Sequence, residues 1–254
     1  MAILNTQALV LKGWKLGETS KIVALYTRDY GKIKVVAKGA RDPKSQYRGC
    51  LEPLTHLNVI YYDKRTRDLQ LLSKASIVRS PVQIIGNIEK TTLGLAMAEL
   101  VSRAVEGEET LPPLFDLLSD SLQTLDSANG FLEGIIWYFE THFIRLMGYE
   151  PVWETCMACK DSLGAEGGFF HPDSGGLFCS RCGGKRGGFA VSGETLEILF
   201  WLQRCLLREV TALNVQPGQK AEIRKMFDLY FRTHIDHRKS LNALNIYYSL
   251  EGCA

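Results

Sequence analysis

Lys32-Ile33-Lys34-Val35-Val36-Ala37-Lys38 decides how the first third of the chain reads. Ile33, Val35 and Ala37 fall on one face of a period-2 pattern, and Lys32, Lys34 and Lys38 on the other, with Val36 among them. A strand of this kind feeds a core with one face and presents positive charge with the other. Four segments of similar make surround it: residues 6–14, 21–27, 56–62 and 69–78, all rich in β-branched and aromatic side chains. Turn material separates them at Gly17-Glu18-Thr19-Ser20, Asp29-Tyr30-Gly31 and 63–68. Five short strands within 80 residues match a small closed barrel. The OB-fold is the nucleic-acid-binding version of that count, and an SH3-like barrel fits the pattern as well.

After Ser80-Pro81 the period becomes helical. Leu93, Met97, Leu100, Val101 and Ala104 recur at helix spacing, and a second helix follows from Leu114 to Leu125. Phe131 to Met147 is apolar around most of its circumference, which predicts a buried central helix ending at Gly148. Further helices are predicted over Leu196–Leu207 and around Ile223, Met226, Phe227, Tyr230 and Phe231. A Gly- and Cys-rich insert, about 152–190, interrupts them. The expected fold is therefore α+β and multidomain: a barrel over 1–80, then a mainly helical domain over 81–254 that carries the insert.

The insert contains Cys156-Met157-Ala158-Cys159, nineteen intervening residues, and Cys179-Ser180-Arg181-Cys182. Each C-x2-C turn can present two thiolates to one ion, and two such knuckles complete a tetrahedron. One structural Zn2+ is expected, with no open position for a catalytic water. Residues 167–178 read as a hairpin with a Gly-rich turn between the knuckles, where His171 is a turn residue. Cys50, Cys205 and Cys253 have no partner at ligand spacing.

The formal net charge of +2 conceals a division. Residues 1–80 carry nine lysines and six arginines against six acids, whereas 81–155 carry three cations against twelve acids. The pattern suggests a polyanion-binding face beside a separate acidic body. Basic residues alternate with aromatics at Lys12-Gly13-Trp14-Lys15, Tyr26-Thr27-Arg28-Asp29-Tyr30 and Tyr61-Tyr62-Asp63-Lys64-Arg65. Cations that track phosphates and aromatic faces that stack on bases are what a single-strand binder needs. Trp14, Tyr61 and Tyr62 could equally belong to the barrel core. The candidate nucleic-acid contacts are Lys15, Arg28, Lys32, Lys34, Lys38, Arg41, Lys44, Arg48, Lys64, Arg65 and Arg67. There is no P-loop, H-E-x-x-H or G-x-S-x-G motif, and His142 reads as an interior histidine, so no enzyme is expected. No apolar run approaches the length of a membrane span and no leader pattern is present, so a cytoplasmic protein is expected.

Several short stretches are specific in combination. They are Gly17-Glu18-Thr19-Ser20, Lys38-Gly39-Ala40-Arg41 with the following Ser45-Gln46-Tyr47-Arg48-Gly49, Leu51-Glu52-Pro53-Leu54, and Gly148-Tyr149-Glu150-Pro151 leading into the cysteines. On these the chain resembles the RecO family of bacterial recombination mediators over essentially its whole length. The resemblance implies an OB-fold, a helical domain with a zinc-finger-like insert, and a non-catalytic, nucleoid-associated role in DNA repair. It implies binding of single- and double-stranded DNA, strand annealing, and loading of RecA onto SSB-coated strands together with RecR, with RecF a further partner. By analogy Lys34, Lys38, Arg41, Lys44 and Arg48 would lead the phosphate contacts. The acidic SSB tail would dock on the helical domain, where Arg224, Lys225 and Arg232, with Arg238 and Lys239, are the candidate cations. An RNA-binding OB protein with a zinc ribbon is the alternative that composition alone leaves open.

Overall fold

The computed structural model describes residues 2–64, 66–107, 109–184, 188–235 and 241–251. The first five strands are β1 (Ala2–Leu16), β2 (Ser20–Thr27), β3 (Gly31–Ala37), β4 (His56–Asp63) and β5 (Leu69–Arg79). They close into a barrel in the order β1-β2-β3-β5-β4. All neighbours are antiparallel except β3 and β5, which run parallel from Lys34↔Leu69 to Val36↔Leu71. That parallel closure is OB-fold connectivity and distinguishes it from an SH3-like meander. The long β1 serves both sides of the barrel, with its register shifting between Val10 and Lys12.

The alternation along β3 sets the inside of the barrel. Ile33, Val35 and Ala37 are buried with Val10, Val23, Leu25, Leu57 and Val59, while Lys34 and Lys38 are exposed. Tyr47 closes one end, its hydroxyl donating to the carbonyls of Leu72 and Ser73 at 3.0 Å. Tyr61 is a core residue and Trp14 is 41% exposed, so the two aromatics take opposite roles.

Strands give way to helices where the period changes: α1 (Val82–Ile85), α2 (Ile88–Ala104) and α3 (Pro112–Ser127). Asn87 caps α2 by accepting from the Lys90 N–H, and Asp126 holds α1 by accepting from the N–H groups of Gln83 and Ile84. Two compact units result, Met1–Ser127 with Ile246–Ala254, and Ala128–Asn245. Helices α1 to α3 thus belong to the barrel's unit. Phe115 of α3 lies against the rings of Tyr26 and His56. The acidic stretch is therefore not a body apart from the basic one, because its first half packs on the barrel.

In the second unit α4 (Glu133–Leu146) is buried nearly all round, with Ile135, Trp137, Phe139 and Phe143 fully enclosed. The insert contributes β6 (Gly168–His171), β7 (Gly176–Phe178), α5 (Ser180–Gly183) and β8 (Phe189–Val191), the strands ordered β7-β6-β8. Then follow α6 (Gly193–Leu202), capped by Ser192, α7 (Pro217–His234) and α8 (Asn242–Glu251). The helix expected to reach Leu207 stops at Leu202. Beyond it the backbone of 207–212 tightens to a 3-10 turn and lies directly on α4. The Phe131 N–H donates to Thr211 O, and a Cβ on Gly134 would stand 2.4 Å from Val210 O. Cys205 is buried in the bend between α6 and that turn rather than in a helix.

Candidate metal centre and nucleic-acid interface

The four cysteines at C-x2-C spacing converge. Their sulfurs all lie within 4.8 Å of one another, and those of Cys159 and Cys179 are 3.7 Å apart. A tetrahedron with metal–sulfur bonds of about 2.3 Å has sulfur–sulfur edges of about 3.8 Å, so the cluster has the dimensions of a metal-thiolate site. Backbone bonds hold each knuckle. Lys160 N–H donates to Cys156 O and Met157 N–H to Leu177 O, while Gly183 N–H returns to Cys179 O. Gly183 is required there, since a Cβ would come within 2.9 Å of both Phe178 and Phe169. Crowding four sulfurs separates their acidities. Hydrogen bonding to Cys179 and Cys159 pushes the Cys182 thiol up to about 12. Burial opposes ionisation of Cys156, yet backbone N–H groups draw its thiol down to about 6. A cation is what would let all four ionise together. Cys50 and Cys205 are buried away from this cluster, and Cys253 lies outside the described residues.

The cations of the barrel divide by what they touch. Arg28 pairs with Asp116 at 2.8 Å, with both side chains partly exposed. Lys32 donates its ammonium to Ser102 O at 2.7 Å, and burial lowers its pKa, partly offset by Glu106. One Arg41 guanidinium nitrogen donates to the carbonyls of Gly17 and Glu18, and the Arg41 N–H to Thr19 O. The loop after β3 is thereby tied to the turn between β1 and β2, joining two of the stretches that carry the family resemblance. Lys15, Lys34, Lys38, Lys44, Arg48, Lys64 and Arg67 form no ion pair among the described residues, and Arg65 lies outside them.

Some of these unpaired cations share a cleft of about 600 Å³ lined by Trp14, Lys32, Lys34, Arg67, Asp68 and Gly107. The parallel pairing of β3 with β5 produces it by setting Lys34 opposite Leu69, just after the β4–β5 loop that carries Arg67. Lys12 stands 5.5 Å from the centre of the Trp14 ring and keeps positive charge at that end. A second groove of about 480 Å³, containing Asn5, Gln46, Asn58 and Lys74, has one cation and no aromatic ring. Sequence reasoning identified Trp14, Lys34 and Arg67 separately. It gave no sign that they converge or that Gly107 borders them, because β3–β5 pairing is a long-range property.

The candidate partner-binding cations on α7 are engaged within their own unit. Arg224 and Lys220 reach the buried Glu133 at 2.6 and 3.3 Å. Lys225 lies 4.2 Å from the centre of the Phe189 ring, and Arg232 pairs with Asp228 at 2.8 Å. Arg238 and Lys239 lie outside the described residues. His142 is half-buried rather than interior, and its Nε2 lies 3.2 Å from Leu202 O.

No helix among the described residues is long and apolar enough to cross a membrane. Comparison with known proteins agrees with the architecture. Residues 1–81 match the family model for the recombination protein O N terminal, and residues 85–242 that for its C terminal. The chain is 34% identical over 248 residues to the DNA repair protein RecO of Chlorobium limicola, covering 92% of this chain and 94% of that one. It is 28% identical to the DNA repair protein RecO of Caldanaerobacter subterraneus, over 93% of this chain and 94% of the relative. The RecO of Chloroherpeton thalassium is also 28% identical, over 98% of this chain and 99% of the relative. With a five-stranded barrel, a helical remainder, a four-cysteine cluster and both family models matched across its length, the chain belongs to the RecO family of DNA repair proteins.

Proposed function

We propose that the chain is a non-catalytic recombination mediator that binds single-stranded DNA in the barrel cleft and anneals complementary strands. With RecR it would load RecA onto SSB-coated DNA in the cytoplasm. The observation that carries this reading is the convergence of Trp14, Lys34 and Arg67 in one cleft. Unpaired cations can follow a phosphate backbone, and an exposed indole can stack on a base without selecting sequence. Lys15, Lys38, Lys44, Arg48 and Lys64 are exposed and would meet strands leaving the cleft, and duplex, and Arg65 remains a candidate on sequence alone. Arg41 acts differently, by fixing the turn at Gly17–Thr19.

The cysteine cluster suits one Zn2+, held by Cys156, Cys159, Cys179 and Cys182. When bound the ion supplies folding energy to the insert, and four thiolates leave it no open position. RecR and RecF are the expected protein partners. Of the α7 cations, Arg232 and Lys225 are exposed and would meet the acidic SSB tail, while Arg224 is held on Glu133.

Strand annealing on SSB-coated complementary oligonucleotides, with and without RecR, tests the reading. Annealing should be present, should increase with RecR, and should fall at least about tenfold in a Lys34→Glu/Arg67→Glu variant. Wild-type annealing on this variant would remove the cleft from the mechanism. Tighter binding to RNA than to DNA of equal length would favour an RNA-binding protein instead.

A further inference from the structure

Three hydrogen bonds hold an acidic segment against the cationic barrel. Lys32 N–H donates to Gly107 O at 2.9 Å and its ammonium to Ser102 O at 2.7 Å, while the Tyr26 hydroxyl donates to Leu111 O at 3.2 Å. Tyr26 and Lys32 are direct partners across β2 and β3, so the segment is anchored to one rung of the barrel. Gly107 turns the chain at a φ of +61° and lines the same cleft as Trp14, Lys34 and Arg67. On either side of it Glu106 and Glu109 are exposed and form no ion pair among the described residues. Their charge reaches the barrel. Glu106 offsets part of the burial that lowers Lys32, and Glu109 adds to the burial that pushes Tyr26 up to about 12.

The cleft therefore has cations along its strands and Asp68 among them, and it is bordered at Gly107 by a segment whose flanking residues Glu106 and Glu109 carry exposed carboxylates. We propose that Glu106 and Glu109 make this cleft selective for one strand, by repelling the second phosphate backbone of a duplex. The inference rests on the reading of the cleft as a single-strand site. A single strand can turn its phosphates to Lys34 and Arg67 and its bases to the acidic side. Bases are uncharged, and their exocyclic amines can donate to a carboxylate. A duplex has no such choice, because it carries a phosphate charge about every 1.7 Å of its axis on two backbones. With one backbone on the cations, carboxylates nearer to the other than the screening length of about 8–10 Å repel it. Discrimination then comes from repulsion of the wrong ligand rather than added attraction for the right one.

The test compares the full-length wild type with a Glu106→Gln/Glu109→Gln variant. Affinity for a mixed-sequence 20-mer single strand and for its duplex is read by fluorescence anisotropy at low salt. Glutamine keeps the shape of these exposed side chains, so an unchanged melting temperature is the control for folding. Duplex binding should tighten about tenfold and single-strand binding less than about threefold. Adding Lys34→Glu/Arg67→Glu to the same variant should abolish the gain, which locates it in the cleft. Equal tightening for both ligands would make the segment a general electrostatic brake and overturn the proposal, as would no change for either. The parent reading fails separately. If Lys34→Glu/Arg67→Glu alone leaves single-strand affinity intact, the cleft is not the site and both ideas fall. If that variant loses affinity but the glutamines do not discriminate, the cleft stands and only the selectivity is refuted.

Discussion

Glu140 lies on α4 with 2% of its surface exposed, and its Oε1 has no hydrogen-bond partner among the described residues. Burial holds its carboxyl well above the ordinary value of 4.5, and the carboxylates of Glu133 and Asp228 push it further the same way. Glu133 is buried as well, but it has Arg224 and Lys220 for partners and Glu140 does not. The folded chain thus keeps a proton that the unfolded chain releases above about pH 4.5. Because the native state binds the extra proton, stability falls as pH rises between the unfolded and folded values, by up to about 1.4 kcal/mol per pH unit. Glu140→Gln removes this linkage. Thermal melts from pH 5 to 8 should show the variant gaining on wild type with each step, and parallel profiles would show that Glu140 is ionised in the fold. Arg41 gives a second lesson at this scale. It belongs to the most basic loop of the barrel, yet its guanidinium holds carbonyls of the neighbouring turn. Its charge in the sequence says nothing of that duty, which depends on a loop contact 23 and 24 residues away.

Among the elements, those fixed by local chemistry are legible in the sequence and those fixed by pairing at a distance are not. β2, β3 and β4 begin and end within a residue or two of the turn signals, because β-branched runs and Gly-containing turns act over a few residues. The cysteine knuckles are legible for the same reason, with ligand spacing set by the reach of one turn. The end of α6 is not, since it is decided by the close approach of 207–212 to Gly134. Nor is the segment that borders the cleft at Gly107, which is anchored through backbone carbonyls of Ser102, Gly107 and Leu111 that carry no side-chain signature. The insert is the element most dependent on its ligand. β6 has four residues and β7 and β8 three each, too little sheet to stand without a second source of stability. Removing metal with a chelator, or changing Cys182 to Ser, should raise hydrogen exchange across β6–β8 by orders of magnitude. Exchange in β1–β5 should be unchanged, since the barrel belongs to the other compact unit. Metal analysis of the purified protein should give one zinc per chain, and well under one would remove the assignment.

At the scale of the whole molecule the near-neutral net charge of +2 is a poor guide to its encounter with a polyanion. What matters is how many cations remain without an internal partner and where they lie. Arg28 and Lys32 are engaged at the barrel's contacts with α3 and the end of α2, so on the proposed reading they do not count among the unpaired cations. Lys34 and Arg67 remain in the cleft, with Lys15, Lys38, Lys44, Arg48 and Lys64 exposed outside it. Each phosphate neutralised on a single strand contributes about −0.7 to the slope of log K against log salt. If four to six of these cations engage at once, the slope should lie near −3 to −4. Lys34→Ala/Arg67→Ala should flatten it by about 1.4, the contribution of two phosphates, and should weaken all sequences about equally. Arg28→Ala should leave the slope unchanged while lowering the melting temperature slightly, as loss of a half-exposed ion pair does. The two variants are both Arg or Lys to Ala in the same basic segment, so net charge alone predicts similar slopes for each charge removed. A titration from 50 to 300 mM salt separates the readings. Equal flattening per charge would mean that the molecule binds through its overall field, and flattening confined to Lys34 and Arg67 would mean that it binds through the cleft.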